Sequence, residues 1–101
     1  MEAATDGVET HQGRLRATAE AALQAASLAV PDGPDLQLVG VKGIRAFDGW
    51  VVITRVNAVE DGTSYRLLGA SSAEHEDDLL YATAQAALDA TNRLLQRHLE
   101  D

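Results

Sequence analysis

A chain of 101 residues has room for one hydrophobic core and no second domain of any size. Sixteen acidic residues against eight basic ones leave a net charge of −8, which sets the chain against any general attraction to nucleic acid or to an anionic lipid surface. Cysteine is absent, so disulfides, thiolate metal sites and thiol nucleophiles are excluded.

The first twelve residues, "MEAATDGVETHQ", are acidic, polar and aperiodic, and read as a flexible acidic tail ahead of a single domain over 13–101. A first helix is expected over 13–29. Its apolar positions Leu15, Ala19, Ala22, Leu23, Ala26 and Val30 recur at three- and four-residue steps, with Arg16, Glu20, Gln24 and Ser27 opposite. "PDGPD" at 31–35 stops it, because proline cannot continue the hydrogen-bond ladder.

Three strands follow, over 36–46, 50–59 and 64–71. The joints contain Asp48-Gly49 and Asp61-Gly62. Asp-Gly between β-rich runs signals a type I′ hairpin, whose two central residues both need positive φ. Ser72 or Asp77 is placed to cap a second helix that runs to about 98, with Leu80, Ala84, Ala87, Leu88, Thr91, Leu94 and Leu95 along one side. The expected fold class is therefore α+β in the order α-β-β-β-α, an antiparallel three-strand meander with two alanine-faced helices on one side. The helices also echo each other: 15–25 and 80–90 agree at eight of eleven positions. Alanine at the centre of both stripes predicts close packing, towards the short end of the roughly 8–10 Å spacing of packed helices.

Two-residue loops at both Asp-Gly joints would set Val59 against Ser64, Val56 against Leu67, Val41 against Val56 and Lys42 against Arg55. One face then collects Val39, Val41, Trp50, Val52, Val56, Ala58, Tyr65 and Leu67 as the core. The other collects Leu38, Ile44, Val51, Ile53, Val59, Leu68 and Ala70, too apolar to stay in water. Leu38, Ile44, Val51, Ile53 and Leu68 are the expected interface of a homodimer, with pairing of the sheet edges as the competing geometry. Lys42, Arg55 and Arg66 share this second face. Like charges in such proximity need an anionic complement, either a small ligand or an acidic segment of a partner, with the acids at 74–78 of a second copy among the candidates.

Catalytic and metal-binding patterns are missing. His11 lies in the tail, His98 in the last helical turn, and His75 in "EHEDD", where neighbouring side chains at a helix start do not converge on one ion. Ser64, Ser71 and Ser72 have no recognisable histidine partner, and "GVKGIRAFDG" is neither a P-loop nor a dinucleotide fingerprint. No metal, no cofactor and no enzyme activity are expected. The apolar runs fall far short of the roughly 20 residues of a membrane span, and the N-terminus lacks a signal pattern, so a cytoplasmic location without a membrane partner is expected.

Two resemblances bear on function. The element order, the length and "ATAQAALDA" resemble double-stranded-RNA-binding domains, which grip phosphates through lysines at the start of their second helix. Here that place reads Glu74-His75-Glu76-Asp77-Asp78, so the resemblance implies the layout and not the RNA binding. Residues 50–95, with Gly69, the small residues Ala82, Ala86 and Ala90, and then Asn92-Arg93, resemble one β-β-β-α half of the C-terminal regulatory domain of 2-isopropylmalate synthases. That family pairs such units and binds an amino-acid effector between them. The implied function is a non-catalytic, homodimeric regulatory or small-ligand-binding module. The alternative is a protein-interaction adaptor without a small ligand.

Overall fold

The computed structural model describes the backbone of residues 2–100 and the side-chain surroundings of residues 12–96. Helix α1 spans Glu2–Ala29, strand β1 Asp35–Ala46, β2 Gly49–Glu60 and β3 Thr63–Ala73; a 3-10 turn at Glu76–Asp78 leads into α2, Leu79–Glu100. The acidic tail expected over 1–12 falls, Gln12 apart, on residues whose side chains lie outside the described range, as do His11 and His98.

The strands form one antiparallel sheet in the order β1-β2-β3, and the fold is α+β as the sequence predicts. Both hairpins have two-residue loops. In the second, Asp61 and Gly62 take φ of 53° and 80°, and Val59 faces Ser64 as expected. The first hairpin turns one residue earlier than its Asp-Gly pair suggests. Phe47 and Asp48 occupy the left-handed positions (φ 55° and 61°), while Gly49 is already paired with Ala46 in the ladder. Gly49 is needed elsewhere: a Cβ on it would sit 2.9 Å from the carbonyl oxygen of Ala73, where β3 ends.

A β-bulge between Leu38 and Gly40 shifts the β1–β2 register. Val39 is the extra residue, and side-chain alternation reverses across it. Leu36 and Leu38 therefore point to the same side as Val41, although they differ from it in parity. This corrects two placements: Leu38, expected on the outer face, is 7% exposed in the core, and Val39, expected in the core, is 47% exposed. With the earlier turn, Val41 faces Thr54 and Lys42 faces Ile53, not Val56 and Arg55.

Both helices lie on one side of the sheet, α1 over β1 and α2 over β2 and β3, and they pack against each other. Leu15, Ala19 and Leu23 of α1 meet Val41, Val52, Val56 and the row Leu79, Ala82, Ala86 and Ala90 of α2. The two echoing segments bury different faces. Leu15 and Leu23 are buried in α1, whereas their counterparts Leu80 and Leu88 are 43% and 44% exposed. Conversely Ala82, Ala86 and Ala90 are buried, and their α1 counterparts Ala17, Ala21 and Ala25 are exposed. The expected stripe of α2 is thus rotated, because the helix is drawn down onto Gly69. A Cβ there would strike the backbone of Ala86 and Ala90, and the buried Thr54 hydroxyl donates to the Ala86 carbonyl at 2.9 Å. Neither expected cap forms: Ser72 lies in β3, Asp77 lies in the 3-10 turn, and His75 precedes that turn without a side-chain capping bond.

Candidate functional site

With both helices on one side, the opposite face of the sheet has no covering layer among the described residues. Strand pairing fixes what it carries. Ile44 lies directly opposite Val51; Ile53, two residues along β2, lies between Lys42 and Ala70; Leu68 lies opposite Arg55. These four apolar residues of the expected interface are brought together towards the β1–β2 hairpin, while Leu38 is not among them. Val51 and Ile53 are half-buried, Ile44 is 37% exposed and Leu68 is 69% exposed. Val59 stands apart, at the far end of β2.

Lys42, Arg55 and Arg66 are all on this face and all exposed. Lys42 is level with Ile53, Arg55 sits between Gly40 and Leu68, and Arg66 is level with Asn57. The three bases thus form a diagonal across the strands, each step wider than the direct opposition expected for Lys42 and Arg55. Diagonal neighbours on a sheet stand roughly 7–8 Å apart at the backbone, which eases their repulsion. None of the three pairs with an acid among the described residues, where the ion pair present is Arg16–Glu20 at 3.8 Å. Gly40 beside Arg55 leaves open floor, since a Cβ there would meet nothing within 4 Å.

At the hairpin end the face terminates in an unusual tip. Phe47 is 96% exposed and holds a left-handed conformation that a bulky side chain seldom adopts. Acids surround it in sequence and space. Asp48 and Glu74 line one hollow of about 330 Å³ with Phe47, Val51 and Ser72, and the exposed run continues through Glu76, Asp77 and Asp78. The prominence of Phe47 was hidden in the sequence by the Asp-Gly pair that follows it.

A second hollow, about 370 Å³, opens at the outer margin of β3, where Arg66 and Leu68 meet Asp89 and Arg93 of α2. Arg93 is a base that sequence reasoning did not attach to the cluster; its position one turn beyond Asp89 is the signal that points to it. The Asp89 carboxylate accepts the Ala70 N–H at 3.1 Å, and Ser71 donates to Gln85 at 3.1 Å. A third hollow, about 380 Å³, lies between α1 and β1 and is lined by Arg16, Glu20, Gln24, Leu36 and Gln37.

Among the described residues no three His, Asp or Glu side chains converge as a metal site requires, and no helix is long and apolar enough to cross a membrane. Ser64 lies opposite Val59 in the ladder, and His75 is exposed in the acidic run. No protein-family model matches the chain, and no curated protein matches it closely enough to count as a relative.

Proposed function

We propose that this chain is a non-catalytic module that pairs with a second copy of itself through the open sheet face and acts as a regulatory or small-ligand-binding unit. The supporting observation is the one-sided layering: Ile44, Val51, Ile53 and Leu68 lie side by side on a face that neither helix covers. A sheet with both faces this apolar is normally covered on both. The Lys42–Arg55–Arg66 diagonal calls for an anionic complement on this face, either a small ligand or the acids of the second copy. The likeness of residues 50–95 to half of a paired effector-binding domain points the same way. The 96% exposure of Phe47 favours a second reading, a protein-interaction adaptor, since a protruding aromatic side chain is a common anchor at protein interfaces.

Sedimentation equilibrium of the wild type should give twice the chain mass, and Ile53→Asp should give a folded monomer. A wild type that stays at one chain mass at high concentration overturns the pairing. Thermal-shift screening against amino acids, nucleotides and acyl-CoA should raise the melting temperature if the module holds a small ligand, because a ligand that binds only the native state stabilises it. A flat screen removes the ligand and leaves the adaptor.

A further inference from the structure

Resting on that self-pairing, we infer that the two copies meet out of register, with the acidic hairpin end of each seated on the basic diagonal of the other. Consider the two-fold axes available to face-to-face sheets. An axis running along β2 places every level of one sheet over the same level of its copy, so Arg55 meets Arg55. An axis crossing the strands at the middle of β2, next to Thr54 and Arg55, does the same. Both arrangements press like charges together in the least hydrated part of the contact.

An axis crossing the strands between Val51 and Ile53 removes that conflict. Each level then lies over the level equally far beyond the axis. Ile53 covers Val51 of the partner copy, and the aliphatic stem of Lys42 covers Ile44, so three of the four apolar residues close on one another, while Leu68, level with Arg55, comes over the partner's chain just past Ala73. Arg55, six residues or about 20 Å along β2 from Gly49, comes over the partner's Phe47–Asp48 tip. Arg66 is level with Asn57, and Trp50 pairs with Ala73 at the opposite end of the ladder; Arg66 therefore comes over the segment that follows Ala73, which carries Glu74 and Glu76. Every base on the face gains an acidic or apolar neighbour, and the left-handed, fully exposed Phe47 gains a guanidinium to lie against.

The overlap is about 30 Å along the strands by about 14 Å across them, which places the contact in the small class of interfaces and makes the dimer reversible. Two chains of charge −8 repel each other at a distance, so a local match of this kind is what brings them into contact.

The test uses two charge-reversed chains, Arg55→Glu/Arg66→Glu and Asp48→Lys/Glu74→Lys, with circular dichroism confirming that each is folded. Sedimentation velocity should show each alone at least tenfold weaker in self-association than the wild type. An equimolar mixture should recover a dimer, because every pair across that interface is again of opposite sign. A mixture that stays monomeric overturns the out-of-register arrangement, as do reversed chains that each dimerise like the wild type. If Ile53→Asp dissociates the dimer while both reversed chains still pair, the open face remains the interface and only the offset falls. A monomeric wild type removes both. Should Lys lower the stability of the chain at the left-handed Asp48 position, the Arg66→Glu and Glu74→Lys pair alone makes the same test.

Discussion

Gly69 decides how closely α2 approaches the sheet. Its missing side chain lets the backbone of Ala86 and Ala90 rest directly on β3, and Thr54 ties the same carbonyl of Ala86 from the neighbouring strand. Both features are buried, so neither has solvent to relax into. Gly69→Ala forces helix and sheet apart and should cost about 2–3 kcal/mol, in the range of overpacked cores. Urea unfolding would read this as a lower midpoint with an unchanged slope. Thr54→Val removes one donor but strands no partner, since a carbonyl within the helix keeps its own ladder bond; the same measurement should show a loss of only about 1 kcal/mol. A larger loss from Thr54→Val than from Gly69→Ala would mean that the hydroxyl, and not the glycine, sets the spacing.

At the scale of the element, β1 shows where alternation stops being a guide. Its bulge at Val39 reverses the inside and outside of everything before it, and Leu38 moves from the expected interface into the core. Leu38→Asp should therefore unfold the chain, at a cost of roughly 3 kcal/mol or more for a charge buried without a partner, whereas Ile53→Asp should leave the fold standing. Circular dichroism on the two variants separates a core position from a surface one. The order of the elements, the second hairpin and the one-sided helices were legible because they follow from period and turn chemistry. Ile44, Val51, Ile53 and Leu68 were legible for the same reason, since the shift of the first turn kept their parity. Val39 was not, because an extra residue in a strand leaves no mark in a run of β-formers. The rotation of α2 was hidden too. With alanine at so many of its positions, the helix offers several plausible faces, and only the distant Gly69 selects one.

Taken whole, the molecule has two layers, helices on a sheet, and its margins are treated differently from its open face. Along β3 the Ala70 N–H is occupied by Asp89 and Ser71 is held by Gln85; along β1 the Val41 carbonyl accepts from Gln12 at 2.6 Å. Side chains thus answer backbone groups that an incoming strand would need, which works against the competing edge-to-edge pairing. Asp89→Ala should expose the Ala70 amide and raise the tendency to form larger β-rich particles, measured as light scattering at constant concentration. Scattering indistinguishable from the wild type would show that Asp89 does not guard this margin.

For a chain that pairs through its face as proposed, these contacts at the margins bear on how many copies can gather. An edge hands each newcomer a fresh edge, so strand addition has no natural end, whereas a two-fold contact between faces uses itself up once it is made. The Gln12 and Asp89 contacts at the strand margins therefore favour an assembly that stops at a pair over one that grows into a filament.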